Sequence, residues 1–191
     1  MPAMNGRDVR RAMTAMTGVL GPHTDRDWSV PAGDLDWSCW TTAAHVAHDL
    51  TAYAGQVAGR PTDGYLPYDL VVSPTVGPGE VLRVAAAGAA LLATVVDAAA
   101  PTERAWHFGP CDPGGFAAMG VAETVLHTWD VTRGLGVPWT PPEDLCAAVL
   151  RRLFPDAPAG PAPRVLLWST GRGELPGRPR RTSWVWRAAV D

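Results

Sequence analysis

The sequence lacks lysine altogether, so its basic residues are all arginine, and its net charge is −3. No basic run occurs before the arginine-rich C-terminal segment. Proteins that bind nucleic acids carry a basic face that neutralises phosphate groups. We therefore expect no nucleic-acid partner for the body of the chain.

Long hydrophobic runs are also missing. The first 16 residues have no apolar core of the kind found in signal peptides, and the most apolar stretch, residues 84–100, is interrupted by Gly88 and Asp97. A membrane-spanning helix needs about 20 consecutive apolar residues. The sequence favours a cytoplasmic protein that does not associate with a membrane.

Cysteine is scarce. The three residues Cys39, Cys111 and Cys146 are far apart, form no CxxC pair and are odd in number. This pattern argues against a disulfide framework and predicts thiols that contribute to packing.

The composition of the rest of the chain is globular. Apolar residues make up 47% and charged residues 18% of 191 positions, which is enough for one principal core. We predict a helical bundle over residues 1–155 and a short appendage over residues 156–191.

Helical periodicity between glycine and proline breaks predicts an all-α fold. Four long helices forming a bundle and a shorter fifth helix are expected at 5–20, 41–58, 79–100, 115–133 and 142–154. In the appendage, the segments RVLLWST and SWVWRA have β character. They predict a small extension that resembles a β-hairpin.

A carboxylate and an imidazole lie in the apolar stripe of the fourth helix. Glu123 and His127 are one turn apart and therefore point in the same direction, beside Met119 and Leu126. A buried carboxylate is costly unless a cation or hydrogen bonds compensate it. This spacing can also hold a metal ion. Alone, however, the pair is more typical of an exposed or locally satisfied side-chain contact than of a metal site.

The second helix offers a third ligand. His45 lies at the margin of that helix's apolar stripe, whereas His48 points nearly opposite to it. We select His45, for which the alternative is a histidine at the margin of the apolar stripe with a local hydrogen bond. His23 and His107 fall in predicted loops and are expected to be incidental.

Together, His45, Glu123 and His127 suit zinc with a fourth position open to water or a thiolate. Nickel, iron and manganese remain alternatives. Asp130, one turn beyond His127, could orient a ligand imidazole or accept a proton, or could instead form a salt bridge with an arginine.

Two segments resemble a known family. The stretches DWSCWTTAAHVAHDLTAYA and GFAAMGVAETVLHTWDVTRGLG, together with the helix order over residues 5–136, resemble the N-terminal domain of mycothiol-dependent maleylpyruvate isomerases in the DinB-like superfamily. The resemblance places that family's metal ligands on His45, Glu123 and His127, and the carboxylate after the last ligand on Asp130.

The resemblance implies a four-helix bundle in which a metal activates a low-molecular-weight thiol, such as mycothiol, for S-transfer or isomerisation of a small electrophile. About 40 residues follow the bundle, where the full isomerase has a larger C-terminal domain, so we do not expect maleylpyruvate isomerisation itself. Arg172 is a candidate for binding an anionic thiol or substrate, with a surface arginine in a turn as the alternative.

Three further expectations stay open at this point. A non-catalytic metal-binding or stress-response module would have a closed coordination sphere, with Asp49 or His48 as a fourth ligand; otherwise Asp49 is a candidate thiol-binding residue. A hydrolase would use metal-bound water and need Asp130 as its base. The expected partners are small molecules, with a homodimer as a further expectation.

Overall fold

The computed structural model describes residues 3–190 of the chain and shows a helical bundle. The α-helices, numbered in chain order, are α1 (Gly6–Leu20), α2 (Cys39–Gly59), α3 (Pro78–Ala98), α4 (Pro113–Gly134), α5 (Glu143–Leu153) and α6 (Ala162–Ser169). Two short antiparallel strands, β1 (Ala105–Trp106) and β2 (Pro110–Cys111), connect α3 to α4. The structure confirms the predicted all-α class.

Local capping fixes where the two site-bearing helices begin. The Ser38 side chain accepts a hydrogen bond from the Thr41 backbone N–H at the start of α2. The Asp112 carboxylate does the same for Gly115 at the start of α4, and Arg152 holds that carboxylate in turn. Such caps satisfy backbone donors that the first turn of a helix leaves free.

The four long helices enclose one core. α1 and α2 each pack along both α3 and α4, and α5 packs on the outer face of α4. Gly120 allows α4 to pack closely against α3 and α2, since a Cβ atom there would lie 2.5 Å from Leu92 Cδ2 and 3.1 Å from Leu50 Cδ2. α4 is thus buried on nearly all sides, which places Glu123 and His127 well inside the bundle.

α3 is the helix among residues 3–190 that has the length and hydropathy to cross a membrane. It is 21 residues long, because it begins at Pro78, before the apolar stretch 84–100 noted in the sequence. Its buried side chains, including Val81, Leu92 and Val96, pack into the bundle core. A core helix of a globular bundle has the same composition.

The prediction of a β-hairpin at the C-terminus is wrong. RVLLWST lies mostly in α6, whose buried Val165 and Leu166 face α5, and SWVWRA is extended without a partner strand. A short apolar run fits either a strand or a buried helix, and a helix satisfies its own backbone where no strand is adjacent. The extended segment is tied down by backbone bonds from Arg187 to Leu153 and from Val190 to Pro110.

Candidate metal centre

Three side chains from two neighbouring helices converge at one point. His45 comes from α2, and Glu123 and His127 come from α4. Each offers a ligand atom that lies within 4.8 Å of the other two. The His127 Nε2 atom is 3.1 Å from Glu123 Oε2, and the His45 and His127 rings meet edge to face at 5.2 Å. We call these three residues the triad.

Each histidine of the triad has one ring nitrogen bonded to an aspartate. His127 Nδ1 lies 3.0 Å from Asp130 Oδ2, and His45 Nε2 lies 3.1 Å from Asp49 Oδ2. Carboxylates accept hydrogen bonds from these nitrogens, so the opposite nitrogen, Nε2 of His127 and Nδ1 of His45, is the one left for another partner. Histidines that bind metals are commonly held in this way.

The Asp130 carboxylate is itself anchored by Arg172. The guanidinium donates from Nε at 3.0 and 3.1 Å to the two Asp130 oxygens and from its terminal nitrogen at 2.8 Å to Oδ2. Both side chains are almost fully enclosed, with 12% and 5% of their surfaces exposed. Arg172, Asp130 and His127 therefore form a continuous chain of bonds that ends at the triad.

The electrostatics of the triad require a positive charge. Burial opposes ionisation of Glu123, but the hydrogen bond and charge of His127 outweigh it and lower the pKa of Glu123. Burial likewise opposes protonation of His127, yet its bonds to Asp130 and Glu123 raise the pKa of His127 to about 9. Without a cation, a proton on His127 thus balances the two carboxylates. A divalent cation would meet the same demand.

The other carboxylates respond differently to their surroundings. Burial tends to raise the pKa of Asp130, but hydrogen bonds from His127 and Arg172 prevail and lower it. For Asp49, burial prevails over the bond to His45, and the pKa is raised. Asp130 is consequently the more firmly ionised of the two aspartates that contact the triad histidines.

The triad lies in the wall of a cavity of about 390 Å³, which we call the aromatic chamber. Three tryptophans and Arg172 line it together with the triad. Trp37 comes from the turn before α2, whereas Trp184 and Trp186 come from the C-terminal extended segment. The segment after α6 therefore completes the chamber in front of the triad.

A comparison with protein-family models matches residues 9–132 to the mycothiol maleylpyruvate isomerase N-terminal domain. The match covers well over half of the chain. The chain belongs to this family, which is part of the DinB-like superfamily. No curated protein and no solved structure gives a significant match.

The family match divides the site into two parts. The triad, Asp49 and Asp130 all fall inside the segment matched to the mycothiol maleylpyruvate isomerase N-terminal domain. Arg172, Trp184 and Trp186 fall outside it. Part of the wall of the aromatic chamber is thus built by residues that lie outside the segment matched to the family model.

The triad of this family member fits a zinc-type cation by its donor set. Two imidazoles and one carboxylate form a common three-residue zinc site, with ligand bonds of about 2.0–2.2 Å. Glu123 is nearly enclosed, with 12% of its side chain exposed, and its neighbouring hydrogen-bond donor from outside the triad is Tyr53 Oη at 3.5 Å. Small side-chain rotations would bring the three ligand atoms to bonding distance.

Of the remaining histidines, His48 lies nearest to the triad, with its ring stacked beside that of His45 at 6.5 Å. His48 is half-buried and its Nδ1 accepts a bond from the Leu70 backbone. The three cysteines are buried and free, which confirms their expected packing role. His107, expected to be incidental in a loop, is buried and contacts Tyr65 and Trp186.

Several residues of the site were missed by the sequence analysis. Tyr53 lies on the predicted apolar stripe of α2 but contacts Glu123. Trp184 and Trp186 were assigned to a strand, where alternate residues share a face. This alternation could have indicated that the two tryptophans share a face, since both side chains line the aromatic chamber.

Proposed function

We propose that the protein is a metal-dependent enzyme, with zinc as the preferred metal, that activates a low-molecular-weight thiol such as mycothiol. The reaction would be S-transfer to, or isomerisation of, a small electrophile. The observation that carries this proposal is the triad of two imidazoles and a carboxylate in the wall of the aromatic chamber. Membership of the mycothiol maleylpyruvate isomerase N-terminal domain family supports the choice of thiol.

His45, Glu123 and His127 would hold the cation, whose Lewis acidity would lower the pKa of a thiol and supply a nucleophile at neutral pH. Asp49 and Asp130 would fix the ring orientation of the two histidines through the bonds described above. This arrangement supports an orienting role for Asp49 toward His45.

Arg172 would act through Asp130. Its guanidinium makes three bonds to that carboxylate, so the charge is already largely neutralised and is poorly suited to bind a further anion. The same bonds keep Asp130 ionised, which favours a role in orienting His127 over a role as proton acceptor.

The aromatic chamber would hold the electrophile. Trp37, Trp184 and Trp186 offer apolar surface beside the triad, and such surface limits access of water to the reacting sulfur. In S-transfer, the thiol loses its proton and the sulfur forms a bond to the electrophilic carbon as the leaving group departs. In isomerisation, the sulfur adds to a double bond and is expelled after rotation.

The direct test measures consumption of mycothiol with a panel of electrophiles, namely an epoxide, an alkyl halide and an unsaturated dicarboxylate. Chelator-treated protein is compared with protein reloaded separately with zinc, nickel, iron(II) or manganese. We expect consumption only with metal, and its loss in Glu123→Gln. His23→Gln, a histidine outside the triad, is the matched control and should remain active.

Thiol consumption by Glu123→Gln, or by chelator-treated protein, at the rate of the zinc-loaded wild type would contradict the proposal. Product formed without any thiol would indicate hydrolysis instead. A metal bound tightly by protein that consumes no thiol with any electrophile would favour a non-catalytic module.

A further inference from the structure

A second cavity, of about 510 Å³, adjoins the triad on the side of α2. Asp49 and Tyr53 line it, and each also contacts a triad residue: Asp49 contacts His45, and Tyr53 contacts Glu123. The cavity therefore ends within one side chain of the triad. We call it the polar cavity. Its volume lies in the range of roughly 300–1,000 Å³ that is typical of small-molecule sites.

Two polar residues of the polar cavity have their hydrogen bonds committed to the fold. The Gln56 amide donates to the carbonyls of Gly64 and Trp106 and accepts from the backbone of Leu66. The Tyr68 hydroxyl donates to the Thr51 carbonyl. These groups shape the cavity wall but have little left to offer a ligand.

A chain of hydrogen bonds orients the Tyr65 hydroxyl. The Trp186 indole N–H lies 3.3 Å from His107 Nε2, and an indole nitrogen can only donate. Nε2 of His107 therefore accepts, and the proton of the neutral ring sits on Nδ1. Nδ1 is bonded to the Tyr65 hydroxyl oxygen and donates to it. The Tyr65 O–H is thereby left free to donate elsewhere.

The polar groups of the cavity that are not bonded within the fold determine which ligand it can bind. Asp49 and Asp69 offer carboxylate acceptors, and the Tyr65 and Tyr53 rings offer apolar faces. Tyr65 offers one donor, and His48 Nε2 offers a second, because His48 Nδ1 accepts from a backbone N–H. Anions are disfavoured because two carboxylates face the cavity and its lining, among residues 3–190, includes no arginine. Several acceptors beside aromatic rings suit an uncharged group that carries many hydroxyls, such as a sugar or a cyclitol.

We propose that the polar cavity binds the hydroxyl-rich, uncharged part of the thiol co-substrate, with the Tyr65 hydroxyl as a hydrogen-bond donor to it. This inference rests on the proposed function for the identity of the thiol. The two cavities beside the triad then have separate tasks: the polar cavity selects the thiol, and the aromatic chamber selects the electrophile. Trp186 connects the two cavities, since it lines the aromatic chamber and, by setting the tautomer of His107, orients the Tyr65 hydroxyl in the polar cavity.

The probe for this inference is the S-methyl thioether of mycothiol, which keeps the hydroxyl-rich part but has no ionisable sulfur. Its affinity for the full chain is measured by calorimetry. Tyr65→Phe should weaken binding about 3- to 10-fold, or about 0.6–1.4 kcal/mol, which is within the range of one hydrogen bond. Tyr68→Phe is the matched control and should change the affinity less than about 2-fold, because that hydroxyl is committed to Thr51.

Nuclear magnetic resonance locates the probe and reports the tautomer. The thioether should shift the amide signals of Tyr65 and Gln56, and the ring nitrogens of His107 should show the Nδ1–H form in the wild type and a mixture in Trp186→Phe. S-methylglutathione, a charged thioether, should bind much more weakly than the mycothiol thioether.

Three results would overturn the inference: no binding of the mycothiol thioether to the wild type, equal losses in Tyr65→Phe and Tyr68→Phe, or shifts confined to the Trp37 and Trp184 indoles. Failure of the proposed function would look different. Protein without metal or without thiol consumption could still bind the thioether in a manner that depends on Tyr65.

Discussion

Replacing Asp130 by asparagine tests whether the bonds behind His127 serve a metal site. Asp130 accepts from His127 Nδ1 at 3.0 Å and from Arg172 at 2.8 to 3.1 Å, and its side chain is 5% exposed. Asparagine keeps the shape and one acceptor oxygen. It removes the charge that makes the imidazole a stronger donor of electrons to a cation.

The expected loss of zinc affinity can be estimated from the role of carboxylates that are bonded to metal-binding histidines. Loss of a carboxylate bonded to a ligating histidine weakens metal binding by about 10- to 100-fold, which corresponds to about 1.4–2.7 kcal/mol. The upper part of this range applies to Asp130, because its carboxylate is buried and poorly screened by water.

The assay is a competition titration of zinc against a chromophoric chelator, with circular dichroism to check that the fold is kept. Asp97→Asn is the matched control, since Asp97 is also paired with an arginine but lies in a half-exposed ion pair on α3. Its zinc affinity should equal that of the wild type. Folded Asp130→Asn protein with wild-type zinc affinity would refute the reasoning.

Three further outcomes are expected. Arg172→Met should lower the free energy of unfolding by about 3–5 kcal/mol, because it leaves the buried Asp130 carboxylate without its arginine partner. The variant should still bind zinc. Chemical denaturation measures the first effect, and the zinc titration measures the second. Burial lowers the pKa of His107 from 6.5 to about 4, so its neutral ring stabilises the fold fully above pH 6.5 and this contribution is lost as the pH falls to about 4. The free energy of unfolding should drop by up to about 3 kcal/mol over this interval, and His107→Asn should remove that part of the pH dependence in urea titrations. Gly120→Ala should lower the free energy of unfolding by about 1–3 kcal/mol, because the added methyl group overpacks the core. Gly18→Ala, whose methyl group would meet open space on α1, should leave that free energy unchanged or raise it by up to about 1 kcal/mol. Equal stability changes for the two variants in thermal unfolding would contradict this prediction.

Helices α1 to α5 could be predicted because their ends are encoded locally. Pro101 follows α3, Gly134 ends α4, and the observed ends agree with the predicted ones within two residues. The convergence of Glu123 and His127 follows from helical periodicity alone, and His45 could be selected from the margin of the α2 stripe.

The rest of the site depends on contacts between residues that are distant in sequence. Arg172 meets Asp130 across 42 positions, and Trp186 meets His107 across 79. The periodicity of neighbouring residues, which reveals helices, gives no information about such pairs. The C-terminal segment was misassigned for the same reason, because a short apolar run does not show whether a partner strand exists.

Whether the triad binds a metal ion can be measured by elemental analysis of protein purified without chelator or affinity nickel, before and after reloading with zinc. We expect about one metal ion per chain in the wild type and almost none in folded His127→Ala. A wild-type protein that takes up no metal, or a His127→Ala variant that retains it, would show that the triad is not a metal site.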